Sequence, residues 1–170
     1  IIRLETSGME DTTFATNVGT GFNGAVFGLA VKSNGTIVVG GTFTTSDGTA
    51  RSRIATLSSS GVDNTSSMLQ TGFNARVYFI TVQSDGKILV GGNFTSFNGN
   101  TRNRLVRIND NLTSEDTSFY TNLGSGFSGT PVRIIAVQSG GKILVGGAYA
   151  NLDGVAKSKI VRLSPTGVDL

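Results

Sequence analysis

Short apolar phrases bounded by Gly, Asn and Asp recur along this chain in a fixed order. The first is Val26–Val31, repeated at Val77–Val82 and Val132–Val137. Each reads as a strand, and the Asn34-Gly35, Asp85-Gly86 or Gly140-Gly141 pair after it predicts a two-residue hairpin turn with positive φ. A second strand is expected from Ile37, Ile88 or Ile143 through a glycine pair to Phe43, Phe94 or Tyr149. Beyond a polar loop carrying Asp47-Gly48, Asn98-Gly99 or Asp153-Gly154 comes a third phrase, Ile54–Leu57, Leu105–Ile108 or Ile160–Leu163. A fourth copy of that phrase, Ile1–Leu4, opens the chain. A weaker fourth element is expected between Asp11 and Phe22 and at its equivalents.

The second strand decides how these units pack. Ile88, Leu89 and Val90 in succession place apolar side chains on both faces of the sheet. No stretch carries sustained helical periodicity, so the cover has to be other sheets. Gly41 and Gly92 are 51 positions apart and Gly92 and Gly147 are 55, a period that suits a propeller blade and is too long for one solenoid coil. The reading is all-β: β-propeller-like tandem blades, three repeats of about four antiparallel strands, forming an incomplete ring or part of a larger array. One repeat domain covers 1–170, with the third strand of a preceding blade at 1–8 and repeats at 9–60, 61–111 and 112–167. The glycine pairs fit places where backbones converge and a Cβ would be crowded. Because the third strand occurs four times and the others three, the array is expected to continue in a longer protein or to be completed by another chain, since an open apolar strand at Ile1 invites aggregation.

The phrases TVQSDGKILVGGNF (81–94) and AVQSGGKILVGG (136–147) resemble the delta-60 repeats of bacteria and phages, whose units read approximately AVQxDGKIxVGGxF, then R-x-x-I-x-R-L and a G-x-x-D-x-x-F tail. The likeness runs over nearly the whole chain. It departs at the missing tail Phe of the second unit, where Ser66, Ser67 and Met68 stand, and at Pro131 in the third. The resemblance implies a β-propeller-like fold in secreted, surface or virion proteins and brings no catalytic motif.

Composition removes several chemistries. The 170 residues contain no Cys, His or Trp, which excludes disulfides, thiolate metal sites and the commonest general base. A net charge of +3 distributed by the repeat gives little footprint for nucleic acid, and no apolar run approaches membrane-spanning length. No cofactor or metal is expected. The aspartates Asp11, Asp63, Asp116 and Asp169 lack the alternation of acids that a calcium loop needs. Glu10-Asp11 and Glu115-Asp116 are adjacent on extended chain and so point apart, unlike a glycosidase pair. The sequons at Asn34, Asn64, Asn93 and Asn111 are chance in a chain rich in Asn, Ser and Thr.

Paired cations, Arg51 with Arg53, Arg102 with Arg104 and Lys157 with Lys159, are the candidate binding residues. A spacing of two in extended chain would aim both side chains the same way and make a cationic rim for an acidic polysaccharide or lipopolysaccharide phosphate. The competing expectation, which carries more weight, is that they pair with the repeated aspartates or cap turns between blades. Phe22, Phe73 and Phe127, and Phe43, Phe94 and Tyr149, keep register and belong to the core; Phe97 and Tyr120 fall in loops where an exposed ring could stack on a sugar. The expected function is non-enzymatic: a structural or recognition module of a phage virion, in a tail fibre, spike or capsid appendage, whose partners are other copies of itself, neighbouring virion proteins or host surface glycans. A secreted or cell-surface bacterial adhesin is the alternative, and a carbohydrate-active enzyme a third reading.

Overall fold

The computed structural model describes residues 1–64 and 71–170. In the first unit, α1 (Thr12–Val18) precedes β1 (Val26–Val31), β2 (Ile37–Gly41), the short pair β3 (Thr45–Ser46) and β4 (Thr49–Ala50), and β5 (Ile54–Leu57). The second repeats this as β6 (Val77–Val82), β7 (Ile88–Gly92), β8 (Ser96–Phe97), β9 (Asn100–Thr101) and β10 (Leu105–Ile108). The third has α2 (Thr117–Leu123), β11 (Phe127–Ser128), β12 (Val132–Val137), β13 (Ile143–Gly147), β14 (Asn151–Leu152), β15 (Val155–Ala156) and β16 (Ile160–Leu163). Each unit is a three-stranded antiparallel sheet with the glycine strand in the middle: β1-β2-β5, β6-β7-β10 and β12-β13-β16. The all-β tandem-blade architecture is therefore present, and its apolar sheets cover one another.

Three details differ from the sequence expectation. The fourth element is a short helix in the first and third units; the equivalent stretch of the second, with Ser66, Ser67 and Met68, lies outside the described residues. Asp11 caps α1 by accepting from the Phe14 N–H at 2.9 Å, and Asp116 caps α2 through Phe119 at 3.1 Å. Gly19 and Gly124 end these helices at positive φ. Each helix of 7 residues, about two turns, buries only Phe14 with Val18, or Phe119 with Leu123, too little to register as periodicity.

The turns are also exchanged. Between β1 and β2 only Gly35 has positive φ; Gly35 N–H donates to Lys32 O and Lys32 N–H to Thr36 O. That is a three-residue loop with a glycine bulge. The two-residue turn with both φ positive sits instead at Asp47-Gly48, and again at Asn98-Gly99 and Asp153-Gly154, joining each short strand pair. Finally, the glycine strands end at Gly41, Gly92 and Gly147, before the aromatic residue.

The second and third cores are assembled across a junction between units, while the first is drawn from its own unit. The second unit's buried cluster includes Val38 and Ile54 from the first, and the third unit's includes Leu89 and Leu105 from the second. At both junctions the leading glycine of the earlier unit makes this contact close. A Cβ at Gly91 would lie 2.7 Å from Val132 Cγ1, and one at Gly40 would lie 2.7 Å from Ile80 Cδ1 and nearer still to Val77. The trailing glycine is crowded within its own unit by the Ala25, Arg76 or Pro131 carbonyl.

Candidate binding surface

The first cation of each pair is neutralised by an acid twelve or thirteen residues later. Arg51 is buried against Asp63, with Nε and Nη2 at 3.2 and 3.1 Å from Oδ1. Arg102 grips both oxygens of Glu115, Nε to Oε2 at 2.6 Å, and lies over the Tyr120 ring at 3.7 Å. These hydrogen bonds, with the Glu115 charge, hold the Arg102 guanidinium above its ordinary value against the opposing effect of burial. Lys157 pairs with Asp169. The acid used by Arg102 is Glu115, whereas Asp116 faces Lys87 and Arg107.

The second cation departs from extended chain. Arg53, Arg104 and Lys159 have φ of 67°, 66° and 71°, so the two side chains of a pair do not share a direction. Arg53 Nη1 donates to Phe73 O at 2.8 Å and Arg104 Nη1 to Phe127 O at 2.7 Å, each reaching into the next unit. Burial lowers the Arg104 guanidinium from its ordinary value. Lys159, in the third unit, turns back to Ala148 O and Tyr149 O of its own unit. The six cations thus divide into three ion pairs, two clamps across a junction and, at Lys159, one clamp within its own unit, and all six donate to acceptors of the chain itself.

Neither aromatic expected in a loop lies in one, since Phe97 belongs to β8 and Tyr120 to α2; Phe97 is 1% exposed, packed on Phe73 with ring centroids 4.6 Å apart, because the short strand pair folds it back over the core. Tyr120 is half-buried beneath Arg102. The exposed aromatic is Phe27, whose ring lies 5.6 Å from Tyr78, with Arg133 over the other ring at 5.0 Å. These three occupy one register position in β1, β6 and β12, a ladder across three units that was hidden in the sequence because the residue type changes at every step.

The hairpin tips are the most regular exposed feature. A Cβ at Gly48, Gly99 or Gly154 would meet nothing, so the tips stand clear of the body. They are nonetheless held rigidly. Asp47 accepts from the Thr20 N–H at 2.9 Å and the Thr20 hydroxyl, which lowers its carboxyl below the ordinary range, and Ser125 does the same for Asp153. The Thr71 hydroxyl bonds Asn98 at 2.9 Å in the second unit. Backbone shape is common to all three tips while exposed side chains differ: Thr49 and Ala50, Asn100 and Thr101, Val155 and Ala156. Among the described residues no group of three His, Cys, Asp or Glu converges as a metal site would, and no helix is long and apolar enough to cross a membrane.

Residues 32–62, 83–119 and 138–168 each match one family model, described as a domain of unknown function (DUF5122) beta-propeller. No curated protein matches the chain.

Proposed function

The chain belongs to the DUF5122 β-propeller family, and from that premise we propose that its delta-60-like blades serve a phage virion as a non-enzymatic structural and recognition module. In this reading the blades are scaffold and the three hairpin tips are display. The observation that carries it is the pairing of invariant tip backbone with variable tip side chains, which is how a repeat presents different chemistry at fixed positions. Partners are host surface polysaccharide or lipopolysaccharide and neighbouring virion proteins. The carboxylates offered by sequence for hydrolysis fit scaffold better, since Glu115 is bidentate to Arg102 and Asp116 caps a helix.

The test introduces Thr49→Glu, Asn100→Glu and Val155→Glu together, all at exposed tip positions. Binding to extracted host polysaccharide and lipopolysaccharide is then measured at constant salt. The reading expects a loss of about tenfold or more in affinity with unchanged thermal stability. Unchanged binding contradicts it.

A further inference from the structure

The two junctions inside the chain are built to one plan. In each, a Val and an Ile of the later unit seat on the leading glycine of the earlier one: Val77 and Ile80 on Gly40, Val132 and Ile135 on Gly91. A cation of the earlier unit also donates to one particular turn carbonyl of the later unit. At the second junction this is Arg107 Nη1 to Pro165 O. At the first, Thr56 stands where Arg107 would be, and Lys32, which replaces the Gln83 and Gln138 of the other units, reaches the matching carbonyl, Asp110 O. The same bond is thus made by different side chains, which marks it as a requirement of the junction.

The two ends of the stack carry the separate halves of this plan. On the third unit, Gly146 meets only Ile134 of its own sheet, Arg162 is exposed, and Ile160 is 63% exposed where Ile54 and Leu105 are 0%. On the first unit, Leu29 is 45% exposed where Ile80 and Ile135 are 4% and 3%. The missing complement of each face is present on the other.

We propose that a second copy of this chain docks head to tail, seating Val26 and Leu29 of its first unit on Gly146 of the third, and that Ile1–Leu4 obstructs this contact. The obstruction follows from register. Leu4 bridges Glu10 as Leu163 bridges Asp169, and Asp11 N–H donates to Arg3 O as Leu170 N–H donates to Arg162 O. Arg3 already donates to Ser59 O, the equivalent of Asp110 O and Pro165 O, and pairs with Asp11. An incoming Arg162 requires that place, so docking exchanges Ile1–Leu4 for β16. Ile2 and Leu4 are exposed and a single bridge pairs the segment with the sheet, so it is held chiefly by the Arg3 side chain, which also lies over the Phe14 ring. Such a contact is heterologous, each copy using two different faces.

Sedimentation velocity from micromolar to millimolar protein tests this on the full chain. Arg3→Ala, which loosens the obstruction, is expected to tighten self-association by about tenfold or more over the unaltered chain. Adding Ile160→Lys blocks one face and Leu29→Lys the other; both positions are exposed, so folding is retained. Each doubly substituted chain alone is expected to be monomeric, and an equimolar mixture to give a one-to-one dimer and nothing larger. Self-association of either blocked chain overturns the proposal, and so does a mixture that stays monomeric. If Arg3→Ala itself is monomeric throughout, the face belongs instead to a further unit of the same polypeptide, and the proposal is likewise overturned.

Discussion

Substituting Gly91 by Ala tests whether the leading glycine is a socket for the next unit. The added methyl would lie 2.7 Å from Val132 Cγ1 and 3.1 Å from Ile135 Cδ1. The isoleucine tip can swing aside, but Val132 is fully buried, β-branched and fixed in register opposite Gly147, so the sheets must separate. Overpacking of this kind costs about 2 kcal/mol, which lowers the melting temperature of a chain this size by about 4–8 °C. Val132→Ala alone removes two buried methyl groups and costs about 2 kcal/mol with its cavity. In the double variant the new methyl enters the vacated space, so the combined loss should fall short of the sum by about 1 kcal/mol or more. Urea denaturation of the four proteins measures this. Additivity within about 0.5 kcal/mol would refute the socket.

Three further outcomes follow from the ion pairs and the buried phenol. Arg102→Ala, which strips Glu115 of both its bonds and uncovers Tyr120, should cost about 2 kcal/mol by thermal denaturation; a loss below about 0.5 kcal/mol would show that this ion pair is ornamental to stability. Burial pushes the Asp116 carboxyl up, but hydrogen bonds from Lys87 and the Phe119 N–H, with the Arg107 charge, outweigh it and leave the group below its ordinary value of 3.8. Its contribution is therefore full above that pH and fades as acid titrates the folded form, so Asp116→Asn should flatten the acid limb of the stability profile; an unchanged limb contradicts the assignment. Burial, then the Asp169 charge, raise the Tyr149 phenol to about 12, while its hydroxyl donates to Val145 O at 2.7 Å. Tyr149→Phe should cost about 1 kcal/mol and remove the phenol that ionises near pH 12 from an alkaline absorbance titration; a titration curve unchanged there contradicts the assignment.

The strands of every unit were legible because each rests on a local pattern of apolar runs between glycine-bearing turns. Both-sided hydrophobicity at Ile88, Leu89 and Val90 was enough to require sheet against sheet. The short helices escaped because their signal is a capping Asp, an aromatic three residues on and a closing glycine, and periodicity needs a longer span. The exchange of turn types was hidden in chemistry that both loops share: Asn-Gly and Asp-Gly suit either, and the strand lengths around them decide. For the cations, sequence spacing showed that pairing was available, but the left-handed backbone at Arg53 and Arg104, which divides them into ion pairs and clamps, is set by the corner into the third strand. The junction carbonyl bond was invisible in sequence, since Arg107 and Lys32 lie at different register positions.

These sheets are held together by burial against one another. Amide hydrogen exchange reads this directly, because β7 is covered on both sides and β13 on one. Leu89, Val90 and Gly91 should exchange more slowly than Leu144, Val145 and Gly146, with higher opening free energy in the middle unit. Equal protection in the two strands, or slower exchange in β13, would contradict it.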